Sequence, residues 1–211
     1  MKRAFATLLL AVLALAGCAG MGPKPAENQE AAAAAYRNRA QRLAGLDQWQ
    51  LMGRVSVQGP EGSGQVRVHW VWGDQQGRLQ VRNPFGQTVM EVRDGPEGLR
   101  VRDSEGKVYR GGAARAALRR QLGWHVPVGP MARWALGLAT GGRIPRVLDD
   151  RGLPLEIQAG PWQVSYDGYQ EVQGMWVPRD LKITRGGLEL HLRVDHWQLE
   201  DADPQAKGPN A

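Results

Sequence analysis

Cysteine is nearly missing from this 211-residue chain: Cys18 is the only one, so no disulfide can close within it. Histidine is scarce too, with four residues, and no pair has the spacing of a helical zinc motif. His191 and His196 are the nearest pair; on an unbroken strand their odd separation puts them on opposite faces, which argues against a shared metal. His69 falls on the polar side of a strand, and His125 precedes Val126-Pro127 in a loop. No serine sits in a nucleophile elbow, and no glycine-rich loop opens a helix to cradle phosphate, since "GPEGSG" joins two strands. Asp149-Asp150 reads as a solvated turn before Arg151-Gly152. With no catalytic constellation, an enzyme is not expected, and no cofactor or metal is implied. Long apolar runs are absent as well. The longest, "AFATLLLAVLALAG" over residues 4–17, falls short of the ~20 residues that span a bilayer. Phenylalanine is limited to Phe5 and Phe85.

The apolar run follows Lys2 and Arg3, the charged start and short hydrophobic centre of a secretory signal. It ends in "LAGC", which resembles the lipobox of bacterial lipoproteins. The resemblance implies cleavage before Cys18, a diacylglycerol thioether on its sulfur and acylation of its new amino group. One fatty chain holds a protein weakly, and stable anchoring takes more than one; a lipobox cysteine carries three. Residue 19 is Ala, not the Asp that commonly marks inner-membrane retention in such lipoproteins. An outer-membrane anchor facing the periplasm is expected.

The formal net charge of +6 includes Lys2 and Arg3, and the rest is too dispersed to imply nucleic-acid binding. A membrane surface is the more natural acidic partner. Eight tryptophans stand against a single Phe after the signal, a bias toward rings with one wet edge.

Domain boundaries follow from composition: a signal peptide over 1–17, a lipidated tether over 18–30, one domain over 31–200 and a polar tail over 201–211. A helix is expected over about 27–44, leaning on the domain's edge. From Asp47 the hydrophobic period becomes two, with turn signals at "GPEGSG", "GDQQG", "NPFG", "DGPEG" and "DSEG", which reads as a meander of about six strands. Val66, Val68, Trp70 and Trp72 share one face of the second strand, with Arg67 and His69 on the other. Residues 113–140 turn helical, in two pieces separated by Pro127 and Pro130. Strands resume from Leu153. About eleven antiparallel strands with a helical cover predict a strongly curved sheet with its helices on the concave side. Periodicity leaves open whether that cover encloses a cavity or completes a solid core.

The order of motifs is similar to the LolB family of outer-membrane lipoprotein receptors. The match runs from the lipobox through Trp49, "GRV" at Gly53, Trp70 and "NPFG" at Asn83. It continues through "VPVGPMARWALG" with Trp134, "QAGPWQVSYDGY", "VPRDLKI" and Trp197. The resemblance implies an unclosed half-barrel with a helical lid, related in fold to the periplasmic carrier LolA. It implies acceptance of acylated lipoproteins from LolA and release of their acyl chains into the inner leaflet of the outer membrane, without nucleotide or metal. A monomer is expected. An apolar trough of Val66, Val68, Trp70, Trp72, Leu79 and Val81 beneath Trp134 and Leu138 is the expected acyl-chain site. An assembly lipoprotein using the sheet to bind a protein, or a lipocalin-type carrier with a closed barrel, are the alternatives.

Phe85 lies in "VRNPFGQTVM". Asn83, Pro84 and Gly86 suit a tight turn with Gly86 in the left-handed region, which puts the Phe85 ring at a hairpin tip. In the family, the matching position is a protruding hydrophobic residue linked to membrane delivery.

Overall fold

The computed structural model describes residues 24–60, 62–122 and 127–201. Helix α1 (Gln29–Ala44) starts where Asn28 caps it, its Oδ1 accepting the Ala31 N–H at 3.0 Å. The chain is docked before the helix begins: the Ala26 N–H donates to the Leu148 carbonyl at 2.7 Å, and that of Glu27 to Asp150 Oδ1 at 3.0 Å. Contact with the domain therefore starts within the stretch expected to be tether. Cys18 lies outside the described residues, as does the tail beyond Asp201.

Strands β1 (Leu46–Gly59), β2 (Gly62–Gly73), β3 (Gln76–Arg82), β4 (Thr88–Asp94), β5 (Arg100–Asp103) and β6 (Val108–Arg110) form the expected meander. Helices α2 (Gly111–Leu122) and α3 (Val128–Ala135) follow, then a 3-10 turn over Thr140–Gly142. The second half comprises β7 (Val147–Leu148), β8 (Pro154–Ala159), β9 (Trp162–Val172), β10 (Met175–Arg185) and β11 (Leu188–Asp201). Pro130 does not separate the helices. It sits in the first turn of α3, where a missing N–H breaks no intrahelical bond. At its far end α3 stops short of the expected residue 140, because Gly137 adopts a φ of 69°.

All pairings are antiparallel, in the order β6-β5-β4-β3-β2-β1-β11-β10-β9-β8-β7. The two ends, β6 and β7, are not neighbours, so the sheet is an unclosed half-barrel. A lipocalin-type carrier requires closure and does not fit.

Strand β11 departs from simple alternation near its centre. Met52 pairs with His196 but Gly53 with Val194, a bulge that inserts Asp195. The extra residue shifts the period, so His191 and His196 both fall on the outer face, contrary to the parity argument.

The concave face is apolar in register: Trp49 opposes Trp72 and Leu199, and Leu51 opposes Trp70 and Trp197. The Trp49 ring lies 5.7 Å from Trp70, 5.6 Å from Trp197 and 6.4 Å from Trp72, the last nearly parallel. Gly77 makes this packing feasible, since a Cβ there would meet the Trp72 ring at 2.5 Å.

Candidate functional site

Helix α1 does more than lean on an edge. Tyr36 and Leu43 are buried, and the Tyr36 hydroxyl accepts the Ala139 N–H at 2.9 Å. Arg39, on the same helix, donates Nη2 to the Leu136 carbonyl at 2.5 Å, Nη1 to Gly137 at 3.2 Å and Nε to Trp176 at 2.7 Å. Burial lowers its pKa from the usual arginine value, yet a guanidinium stays charged. From the sheet, the Tyr166 hydroxyl donates to the Trp134 carbonyl at 2.9 Å. Burial raises the Tyr166 and Tyr169 pKa values well above 10, so both remain neutral donors. The segment from Trp134 to Ala139 is thus clamped between α1 and the strands.

Asp149, expected in a solvated turn, is buried. Its Oδ1 accepts the N–H groups of Arg151 and Leu153, and its Oδ2 accepts the Arg151 guanidinium. The carboxylate organises the turn that supports α1. Gly152, with φ of 73°, lets that turn touch the helix: a Cβ would lie 2.5 Å from the Tyr36 nitrogen.

The clamped segment roofs a cavity of about 940 Å³, lined by Pro130, Trp134, Ile144, Pro145, Ile157 and Trp162. Its volume lies within the range of natural ligand sites. Arg143, Arg146, Glu156 and Gln158 also reach it, so its walls are mixed. The Trp134 and Trp162 rings are 6.1 Å apart, and the Trp134 indole N–H is buried with no hydrogen-bond partner among the described residues.

Of the residues expected to line an acyl-chain site, Trp134 lines this cavity. Val66, Val68, Trp70, Trp72, Leu79, Val81 and Leu138 do not. Val68, Trp70 and Leu138 are buried in the core, while Val66, Trp72, Leu79 and Val81 are half-buried against it. These β2 and β3 residues share the concave face with half-buried Val55 and Val57 of β1. They form an apolar stretch in the other half of the sheet from β8 and β9. The sequence missed Ile144, Pro145 and Ile157 because nothing in it says which part of a curved sheet the roof covers.

The hairpin loop between β3 and β4 has the expected form. The Gly86 N–H donates to the Asn83 carbonyl, that of Asn83 to the Gln87 carbonyl, each at 2.9 Å, and Asn83 Oδ1 accepts the Gln87 N–H at 3.0 Å. Gly86 has φ of 87°. Beyond this bracing Phe85 is 91% exposed.

Asp167, Asp180 and His191 form the one group of potential metal ligands among the described residues. Asp180 bonds His191 and has Arg193 at 3.8 Å, while Lys182 lies 3.6 Å from Asp167. Each carboxylate already faces a cation, so the group is an ion-pair network. Among the described residues no helix is long and apolar enough to cross a membrane.

Residues 47–197 match the family model described as outer membrane lipoprotein LolB. The chain belongs to the LolB family. The LolB outer-membrane lipoprotein of Pseudomonas putida is 30% identical over 185 residues, covering 87% of this chain and 90% of that protein. That of Chromohalobacter salexigens is 29% identical over 90% of this chain and 88% of its own length, and that of Tolumonas auensis 28% identical over 92% and 95%. The fold of this LolB family member is shared more widely. A putative outer membrane lipoprotein-sorting protein domain from Vibrio parahaemolyticus superposes with a TM-score of 0.53 at 11% identity, covering 85% of this chain and 96% of that one. A LolA superfamily protein from Nitrosomonas europaea gives 0.50 at 10% identity, over 85% and 98%.

Proposed function

We propose that this protein is an outer-membrane receptor that accepts acylated lipoproteins from a LolA-type periplasmic carrier and passes their acyl chains to the inner leaflet of the outer membrane. Cys18, lipidated after removal of residues 1–17, anchors it there facing the periplasm. The observation that carries the reading is Phe85, a braced, fully presented aromatic on a half-barrel whose concave side is apolar.

The chemistry asked of the chain is transfer between apolar environments, with no bond made or broken. Cargo moves only toward the state that holds it better. Each CH₂ taken from water is worth ~0.8 kcal/mol, so a partly covered apolar face is enough to draw acyl chains from a weaker site. The half-buried Val55, Val66, Leu79 and Val81 offer such a face, and the cavity beside Trp134 offers a second compartment. The mixed lining by Arg143, Arg146, Glu156 and Gln158 keeps retention below that of a bilayer, which allows onward release. Burying a Phe ring is worth ~1.5–3 kcal/mol, too little to anchor a protein but enough to orient one already tethered.

The test is transfer. A LolA-type carrier loaded with a lipoprotein is mixed with this chain bearing Cys18→Ala, and photo-crosslinkers stand at Val81, at Ile144 and, as a control, at Gln198. Cargo should leave the carrier and label Val81 or Ile144 but not Gln198. Cargo that stays on the carrier, or labels Gln198 equally, contradicts the reading.

A further inference from the structure

The outer face of the sheet carries a feature that alternation alone does not reveal. Arg193 of β11 opposes Arg54 of β1, Arg54 opposes Arg67 of β2, and Arg67 opposes Arg82 of β3. Four arginines thus stand side by side across four neighbouring strands. Like charges directly opposite one another destabilise a sheet, so such a row is unexpected without an anion to offset it. The protein supplies anions at one end. Asp195 pairs with Arg54 through two bonds, at 2.6 and 3.1 Å, and Asp180 approaches Arg193 at 3.8 Å. At the other end, and among the described residues, Arg82 donates only to the neutral Gln80 at 3.2 Å, and Arg67 has no hydrogen-bond or ion-pair partner. Both are exposed.

This unpaired end borders a groove of about 510 Å³ lined by Met52, Arg54, Arg67, His69, Arg82 and Gly86, with Asp195 on its wall. Met52 is 45% exposed, one of few large apolar side chains so presented. Gly86 belongs to the Phe85 loop, and Arg82 is the last residue of β3 before it. An exposed methionine, uncompensated cations and the loop of a protruding aromatic therefore meet at one place. Burial is the main cause that lowers the His69 pKa, and the charges of Arg82 and Arg78 lower it further.

We propose that this groove binds the phosphate of an anionic phospholipid in the bilayer that Phe85 enters. Arg67 and Arg82 hold the headgroup, Met52 meets the lipid's apolar part, and loop and arginine row form a single membrane-contact face. The inference rests on the membrane-delivery reading of Phe85, and the test separates the two.

The probe is vesicle co-sedimentation of the chain beginning at residue 18 with Cys18→Ala, against phosphatidylcholine alone and phosphatidylcholine with 30% phosphatidylglycerol at low salt. A basic residue at an anionic surface contributes about fivefold in affinity, so two give about thirtyfold. The unaltered chain should prefer the anionic vesicles by about that factor, with the preference shrinking as salt rises. Arg67→Gln/Arg82→Gln should lose the preference and keep the residual binding to phosphatidylcholine. Because it relieves like-charge repulsion, its Tm should be unchanged or raised, which excludes misfolding as the cause. Phe85→Glu should weaken binding to both vesicle types. Loss of preference in the arginine variant with no effect of Phe85→Glu would keep the headgroup site and remove the insertion reading. The proposal is overturned if the arginine variant prefers anionic vesicles as strongly as the unaltered chain. It is equally overturned if the variant leaves vesicle binding intact but slows transfer from the carrier, which would make the row a protein-docking surface. Arginine-dependent binding of 10 mM inorganic phosphate with no vesicle preference would make it a free-anion site and overturn it too.

Discussion

Replacing Arg39 by Met keeps the length of the side chain and removes all its donors. Three carbonyls then lose a charged partner: Leu136, Gly137 and Trp176. A hydrogen bond to a charged group is worth about 1.5–3 kcal/mol. The Leu136 and Gly137 carbonyls are consecutive and served by one guanidinium edge, so they count as a single contact. Two such contacts give a loss of about 3–6 kcal/mol, lowered only slightly by relief of the burial that depresses the Arg39 pKa. In a domain of this size each kcal/mol moves Tm by roughly 2–4 °C, so a fall of about 10 °C is expected by thermal unfolding. Arg42→Met is the control: Arg42 makes one exposed bond, to the Gly174 carbonyl at 3.1 Å, and its loss should move Tm by no more than about 3 °C. Amide exchange should rise in Gly137 to Ala139 for the Arg39 variant alone. Equal effects of the two substitutions, or a Tm within 2 °C of the unaltered chain for Arg39→Met, would refute the idea that α1 clamps the cavity roof.

Two further outcomes follow from local geometry. Gly152→Ala forces a Cβ into a left-handed position 2.5 Å from the Tyr36 nitrogen and 2.6 Å from the Ala32 carbonyl; a loss of about 2–5 kcal/mol is expected in urea titration, and a loss below 1 kcal/mol would show that the turn and α1 are not in firm contact. His69 has a folded pKa below its ordinary 6.5, through burial and then Arg82 and Arg78. Unfolding therefore takes up a proton as pH falls below about 6.5. Stability should decline from pH 7 toward pH 5, and His69→Gln should flatten that slope; an unchanged slope would mean that other groups set it.

The parts of the fold that follow a simple period were legible. Alternation in "QVRVHWVWG" placed Trp70 inward and His69 outward, and "NPFG" fixed the loop that presents Phe85 through backbone demands of Asn, Pro and Gly that act locally. What could not be read depends on pairing between distant strands. The bulge at Asp195 reversed the parity argument for His191 and His196, because one inserted residue changes every face beyond it. The arginine row exists only once the register of four strands is known. Asp149 reads as a solvated turn residue in sequence and no motif singles out Arg39, yet each is held by carbonyl or N–H groups far away in the chain or in a turn that the fold closes around it. The covered half of the concave face was equally hidden, since the lid's position is set by these tertiary bonds and not by any pattern within β8 or β9.

In the proposed function, receiving cargo and delivering it are separate tasks, and the second depends on Phe85. The decisive variant is Phe85→Glu, with acceptance of a labelled lipoprotein from the carrier and its release into vesicles measured in one reaction. Acceptance should stay close to that of the unaltered chain, Tm should be unchanged, and release should fall at least tenfold. Equal loss of acceptance and release, or release at the normal rate, would contradict that reading.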